Sequence, residues 1–537
     1  MRPQRWITPT GEQRDVVEAF LGGGDLVVEA GAGAGKTSTL RLVADAACPR
    51  RVLYVGFNRA IVDEARRKMP RNVRCSTSHG LAFREFGRHL AQRLDEPWVP
   101  SSVIAERLGL GPLGLLDPFG NAVTVSGSVV AGTIVRSINR FCVSADASPS
   151  TDHLVLPPDV RASPEMARYL AGLVSSAWTD LCERPSDTVW PFTHNHYLKM
   201  WALTNPVIDA DVILFDEAQD ANPCVAAVVS AQSAQTVWVG DSAQAIYGFN
   251  GAVDAIRGFE GARRQLTQSF RFGPAIADLA NCILAIPAMD TKLRIRGTES
   301  IHSEIVTSTD EAQACLTRTN AGAITAADEW QRIRRRRVAI VGGTKEVMSF
   351  AFAAGRLRKG IRPNHPQLDA FETWADMLEC VADDVASADL ASMVALVSRL
   401  GVSRIIDICR ACVPEGEADM VISTAHKSKG REWDHVYLAD DFPDDGDEMP
   451  VEEWRLLYVA VTRARKTLDV SRCAPLAGFD PVPRVVPIRA PMPIRPAEEP
   501  NRRKAATATT SAKPARTLSR LAQRLAGRRP QAPLGDR

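Results

Sequence analysis

Asp25-Leu-Val-Val-Glu-Ala30-Gly31-Ala32-Gly33-Ala34-Gly35-Lys36-Thr37-Ser38 is the stretch that decides how this chain folds. Asp25 to Ala30 is a short apolar run of the kind that forms a buried parallel strand, and the residues after Thr37 favour helix. Strand, glycine loop and helix thus come in P-loop order. Small residues let successive backbone N–H groups wrap around phosphate oxygens at a helix N-terminus, Lys36 reaches the terminal phosphates, and the Thr37 hydroxyl can ligate magnesium. Ala30 to Ser38 is therefore the expected nucleotide cradle. The strict pattern wants glycine where Ala30 stands, a departure that alanine tolerates if its φ is negative. Lysine usage points the same way: only 11 of the 65 basic residues are Lys, so a Lys at this place needs a reason. A compact ammonium suits a crowded phosphate site better than a planar guanidinium does.

Two further apolar runs end in polar residues. Val212 to Phe215 leads into Asp216-Glu217-Ala-Gln-Asp220, and carboxylates at the C-terminal end of such a strand sit where α/β folds bind ligands. Asp216 is placed to hold Mg2+ and Glu217 to orient and deprotonate a water, although an acidic helix start favoured by the macrodipole reads similarly. Thr236 to Gly240 runs into Asp241-Ser-Ala-Gln244-Ala-Ile-Tyr247-Gly-Phe249, where Gln244 can sense a γ-phosphate and pass its presence to aromatic rings beyond.

The bulk numbers set the frame. A length of 537 residues calls for two to four cores, because single cores stop growing near about 250 to 300 residues. Apolar residues at 45% and charged residues at 24% are ordinary for a soluble chain, and no run reaches the roughly 18 apolar residues of a membrane span. The N-terminus carries no apolar stretch of the signal type, so a cytoplasmic, nucleoid-associated protein is expected. The 11 cysteines are scattered, apart from Cys409 and Cys412, and read as buried core thiols. From Arg484 to Arg537 stand 13 Arg and Lys against 3 Asp and Glu, a local +10 that leaves −8 for the rest of a chain whose net charge is +2. This Pro-, Ala- and Arg-rich tail has too little apolar surface to order itself, and reads either as an arm for phosphates or as an inert extension.

These segments, in this order, resemble superfamily 1 helicases of the Rep/UvrD-like group, in particular the helicase part of the F-box DNA helicases. The resemblance runs from about Thr8 to about Cys473. It implies ATP as the nucleotide and single-stranded DNA as the partner. Gln13 falls where the family reads the adenine edge, and Phe270 and Arg271 of Leu266-Thr-Gln-Ser-Phe-Arg-Phe resemble its adenine-stacking ring and first arginine finger. Phe57 and Asn58, Ser78 and His79, and Tyr247 and Phe249 match the strand-binding elements. Thr424-Ala-His-Lys-Ser-Lys-Gly-Arg-Glu432 is similar to the coupling motif, with Glu432 implied at the ribose, and Arg463 of Tyr458-Val-Ala-Val-Thr-Arg-Ala-Arg is the implied second finger. The segment Pro191 to Trp201 carries the likeness to the F-box branch; for Tyr197 and Trp201, core packing and a DNA-facing role are equal alternatives. Asn250 stands where the family usually has Arg, and Phe249 replaces its usual Trp.

The implied fold is α/β, with two RecA-like P-loop motor domains. The first spans residues 1–95 and 202–275, interrupted by a helical insertion at 96–201. The second spans 276–345 and 416–475, interrupted by a short accessory insertion at 346–415, and a disordered basic tail covers 476–537. The acidic stretch Asp440 to Glu453 reads as a solvated loop remote from DNA. The implied function is an ATP-dependent helicase travelling 3′ to 5′ in DNA repair, recombination or replication, acting on DNA junctions with recombinase filaments or replication proteins as partners. A translocase that strips proteins from DNA would share every motif. An ATP-gated binding module would need neither arginine finger, and a GTPase would leave Thr462-Arg463 unexplained.

Overall fold

The computed structural model describes residues 8–479, apart from 97–98, 158–159, 184–187, 249–254, 309–310, 362, 364, 369–370, 372 and 383–387. Phe249, Asn250 and the basic tail from residue 480 onward lie outside the described residues.

The chain runs through β1 (Leu26–Ala30), β2 (Val52–Gly56), β3 (Val73–Thr77), β4 (Leu113–Leu116), β5 (Ala122–Val125), β6 (Val212–Asp216), β7 (Gln235–Gly240) and β8 (Ala262–Leu266). It continues through β9 (Glu304–Val306), β10 (Ala314–Thr317), β11 (Val338–Ile340), β12 (Met420–Thr424), β13 (Trp433–Leu438) and β14 (Ala464–Asp469). Two six-stranded sheets result, ordered β3-β2-β6-β7-β1-β8 and β11-β12-β10-β13-β14-β9. Every pairing within them is parallel.

The sequence explains which strands are central. β1, β2, β6 and β7 are buried nearly end to end, because helices cover both faces of a parallel sheet, so these strands are continuous apolar runs rather than alternating ones. β8 reads Ala-Arg-Arg-Gln-Leu and exposes all but Leu266, the charged composition that keeps a sheet edge from pairing further. Of the two insertions, residues 96–201 hold the long helices Gly127–Val143 and Pro164–Glu183 but also the antiparallel pair β4-β5, which a purely helical expectation leaves out. The pair forms because Leu113 to Val125 places short apolar segments around the turn Asp117-Pro-Phe-Gly120, with Gly120 at φ +88° and the Asp117 carboxylate accepting from the Phe119 and Asn121 N–H groups. The stretch 346–415 is helical, with Lys345–Arg358, Trp374–Ala382, Ala388–Leu400 and Val402–Arg410 packed beside the second sheet.

Among the described residues, one apolar cluster joins the two halves. Ala32, Ala243 and Ile246 from the first sheet's loops pack with Phe272, Leu457 and Tyr458. The lobes therefore meet at the C-terminal ends of β1 and β7, where the glycine loop lies. Tyr197 and Trp201 are each 2% exposed, which decides for core packing at both. Cys48 and Cys182 are exposed, unlike the buried thiols expected throughout. Among the described residues no helix is long and apolar enough to cross a membrane.

Candidate nucleotide site

The glycine loop leaves β1 and turns into the helix Lys36–Ala46 through Gly33 at φ +73° and Gly35 at φ +79°, a left-handed region where a side chain is strained. A Cβ on Gly33 would come within 2.6 Å of Ser269 Oγ and 2.7 Å of Arg271 Cβ, so the backbone is packed too closely for any other residue. Ala30 and Ala32 are absent from the residues with positive φ, which is why alanine serves at both places.

Lys36 Nζ lies 2.8 Å from Glu217 Oε1. Burial alone would pull its ammonium down, but the carboxylates of Glu217, Asp216 and Asp241 more than offset that and hold it above its ordinary value. Asp216 ends β6; its Oδ2 accepts from the Tyr54 hydroxyl at 2.5 Å and its Oδ1 from the Glu217 N–H at 3.0 Å. Burial and the neighbouring Glu217 charge push the Asp216 carboxyl up, whereas Glu217 is held low by Lys36 and Lys429 against its own desolvation. One cation thus settles on one of two adjacent carboxylates. Glu217 also has φ +54°, a left-handed conformation that a non-glycine residue keeps only when its surroundings impose it, as they often do at functional sites.

The two lobes each supply a guanidinium group, Arg271 after β8 of the first and Arg463 before β14 of the second. Arg463 is 1% exposed; its Nη2 donates to Gln244 Oε1 at 3.3 Å, and its other donors go to the Val459 and Arg431 carbonyls. Burial, followed by the nearby Arg271 charge, pulls it down to about 9. Arg271 donates to Glu432 Oε2 at 2.7 Å and to the Thr462 carbonyl at 2.9 Å. Lys36, Asp216, Glu217, Gln244, Arg271 and Arg463 are in this way brought to one seam. On its outer side Gln13 Nε2 and the Phe270 ring would stand 3.3 and 3.4 Å from a Cβ on Gly35, so the two adenine candidates flank the same turn. Phe270 is 48% exposed. Glu432 is held by Arg271 in this conformation, and Thr37 and Ser38 open the helix after the loop.

The strand-binding candidates divide into two places. Phe57, at the end of β2, stacks on Tyr247 with centroids 5.2 Å apart and planes 18° from parallel. Asn58 caps the helix Arg59–Lys68, its Oδ1 accepting from the Ile61 N–H at 3.0 Å. Ser78 opens the helix Ser78–Glu85, and His79 beside it turns to the insertion, where its Nε2 lies 3.3 Å from Asn195 Oδ1. The acidic stretch is the solvated loop expected only in part: Asp440, Asp444, Asp445, Glu448 and Glu452 are exposed, but two of its carboxylates turn inward. Asp441 binds the backbone of Arg318 and Thr319, and Glu453 takes a two-pronged contact from the Arg318 guanidinium.

Four contributors to the seam had no role assigned from the sequence: Tyr54, Asp241, Lys429 and Tyr458. Lys429 pairs with Asp220, donates to the Gln244 carbonyl at 2.7 Å and lies 5.2 Å from the centre of the Tyr247 ring, joining the nucleotide side to the Phe57–Tyr247 stack. Its rarity as a lysine was the available signal.

The donor set suits a magnesium–nucleotide. The glycine cradle, closely packed at Gly31 and Gly33, and the Lys36 ammonium are groups that suit phosphate, and the Thr37 hydroxyl and Asp216 carboxylate are the hard-oxygen donors that Mg2+ would need.

Residues 13–250 match an AAA domain model, and residues 419–470 match the UvrD-like helicase C-terminal domain. By its fold and these matches the chain is similar to one class of proteins, the P-loop helicases of the UvrD-like superfamily 1 group. Within that class the chain is similar to the F-box DNA helicases. It is 31% identical over 507 residues to F-box DNA helicase protein 1 of Schizosaccharomyces pombe, covering 86% of this chain and 57% of that protein. It is 29% identical over 515 residues to F-box DNA helicase 1 of Gallus gallus, covering 86% and 49%. The chain spans about half the length of these curated relatives.

Proposed function

We propose that this chain is an ATP-driven motor on DNA, a DNA-dependent ATP hydrolase that travels along a single strand and separates duplexes. The observation that carries the reading is the meeting of Arg271 and Arg463 with Lys36 and Glu217 at one seam between two parallel sheets. Hydrolysis spreads negative charge over the γ-phosphoryl oxygens, and an arginine finger is worth roughly 10³- to 10⁵-fold in rate when lobe closure delivers it. Bound Mg2+ neutralises phosphate charge; Asp216 and Thr37 are the residues to hold it. Glu217 orients and deprotonates the water, Gln244 reports the third phosphate to Arg463, Gln13 and Phe270 take the adenine, and Glu432 takes the ribose once Arg271 turns to the phosphates. A ligand that binds the closed state better shifts the lobes toward closure, and losing the end phosphate lets them part.

The two motor domains are residues 1–95 with 202–275, and 276–345 with 416–475. The stretches 96–201 and 346–415 are insertions. The basic tail was expected from residue 476, but Leu476 is 0% exposed and Phe479 packs on Trp454, so both belong to the second domain, and the arm for phosphates is the stretch beyond 479. Phe57, Asn58, Ser78, His79, Tyr247 and Phe249 hold the strand, base stacking on such rings being worth about 1 to 3 kcal/mol each. Travel is 3′ to 5′, and the working place is the nucleoid of the cytoplasm, at junctions arising in repair, recombination or replication, where recombinase filaments or replication proteins are met. F-box DNA helicases as relatives favour DNA as the track. The test is an unwinding assay with 3′-tailed, 5′-tailed and blunt duplexes beside an assay for displacement of bound protein. Unwinding of the 3′-tailed substrate alone is expected; displacement without unwinding would replace the helicase by a stripping translocase, and absence of DNA-stimulated ATP turnover would end the motor reading.

A further inference from the structure

Tyr458 stands on the helix Val451–Val461 of the second lobe with 0% exposure, yet both partners of its hydroxyl belong to the first. The oxygen accepts from the Ala32 N–H at 3.3 Å and donates to Asp241 Oδ2 at 3.2 Å. Asp241 also accepts from the Ala243 N–H and from Gln244 Nε2, and Gln244 Oε1 accepts from Arg463. A chain of contacts therefore runs from the glycine loop through Tyr458, Asp241 and Gln244 to Arg463, five residues beyond its start on the second lobe.

A buried tyrosine needs a partner for its hydroxyl, and local carbonyls usually provide one. Here the partner is a backbone donor of an anion cradle. A neutral phenol oxygen is a weaker acceptor than a phosphate oxygen, so a third phosphate, lying on the side of the cradle where Asp241, Gln244 and Arg463 stand, wins that N–H and frees the hydroxyl. The side of the cradle that Tyr458 covers also carries Asp241, Gln244 and Arg463, the groups that read a third phosphate. We propose that Tyr458 determines the discrimination between nucleoside triphosphate and diphosphate: its hydroxyl caps the cradle in the nucleotide-free chain, a triphosphate displaces it, and a diphosphate leaves it in place. This rests on the reading of the seam as an ATPase site. Displacement leaves a buried hydroxyl and Asp241 in need of new partners, which ties the third phosphate to movement of the helix that carries Arg463.

The experiment is calorimetric titration of the full chain with ADP and with the non-hydrolysable imido analogue of ATP. Tyr458→Phe removes the cap from the empty state alone, so the analogue should bind on the order of tenfold more tightly, two hydrogen bonds no longer having to break, while the ADP affinity stays as in the wild type. Equal shifts for both nucleotides, or weaker binding of the analogue, would overturn the exchange. Wild-type protein that binds neither nucleotide would sink the ATPase reading itself, whereas wild-type binding of both with an unchanged ratio in the variant sinks only this inference. Should that variant not fold, a single 3-fluorotyrosine at position 458 keeps the hydroxyl. Its fluorine resonance should move with the triphosphate analogue and stay with ADP, and the same movement with both would reject the proposal.

Discussion

Two helices in this chain begin just after a central parallel strand ends, and their N-termini are satisfied in opposite ways. Asn320–Arg332 follows β10, and the chain fills its N-terminus with its own carboxylate. Asp441 accepts from the Arg318 N–H, the Thr319 N–H and the Thr319 hydroxyl at 2.8, 2.8 and 2.9 Å. Gly322 makes room for it, since a Cβ there would lie 1.9 Å from Asp441 Oδ2. Lys36–Ala46 follows β1, and among the described residues the chain offers the N–H groups of its loop neutral acceptors, the Tyr458 hydroxyl at Ala32 and the Leu266 and Gly31 carbonyls at Gly31 and Ala34. A helix N-terminus attracts an anion wherever it occurs. What separates a structural terminus from a binding one is whether the fold brings its own permanent anion.

The contrast breaks most sharply at Lys36. Lys36→Ala removes the only cation facing the cradle from within its own loop, and DNA-stimulated ATP turnover should fall to background while strand affinity stays measurable. Turnover near the wild-type rate would mean that the open terminus is not a nucleotide site. Arg463→Ala comes next: nucleotide binding should persist and kcat should fall by about 10³-fold. An unchanged kcat would reduce Arg463 to a buried structural contact with Gln244.

How much of this was legible in the sequence follows from range. The open terminus was readable because strand, loop, ammonium and hydroxyl lie within 14 consecutive residues, from Asp25 to Ser38. β6 and β7 were readable as apolar runs ending in polar side chains, and their bounds fall within a residue of the expected ones. The sealed terminus was not. Asp441 sits more than 100 residues from Thr319 inside a run of acids, and nothing local separates the one that folds inward from those that remain in solvent. Tyr458 was hidden differently, since a ring flanked by Leu456, Leu457 and Val459 looks like any core position and only its distant partners mark it. Lysine scarcity reached further than it was taken. Lys429 sits at the seam. Lys199, 1% exposed, donates to the Ser144 and Asp146 carbonyls at 2.8 and 2.6 Å beneath the Phe141 ring. Both are crowded sites for a compact ammonium, the same argument that selected Lys36.

The sealed terminus offers the smaller effects and the finer test. Asp441→Ala leaves two backbone donors and a hydroxyl without their acceptor, which should lower the unfolding free energy by about 2 to 4 kcal/mol in urea titration, with nucleotide affinity unchanged. Asp441→Asn asks whether charge or mere acceptance matters. Burial pushes the Asp441 carboxyl up, against the Arg318 and Thr319 donors that pull it down, so much of what ionisation gains at this terminus is already offset. An asparagine keeps one oxygen in place for one of the two N–H groups. Its loss should therefore be about 1 kcal/mol, well short of the alanine variant. If asparagine proved as damaging as alanine, the terminus would require a true anion, and the neutral Tyr458 hydroxyl at the other terminus would stand out more clearly as a placeholder.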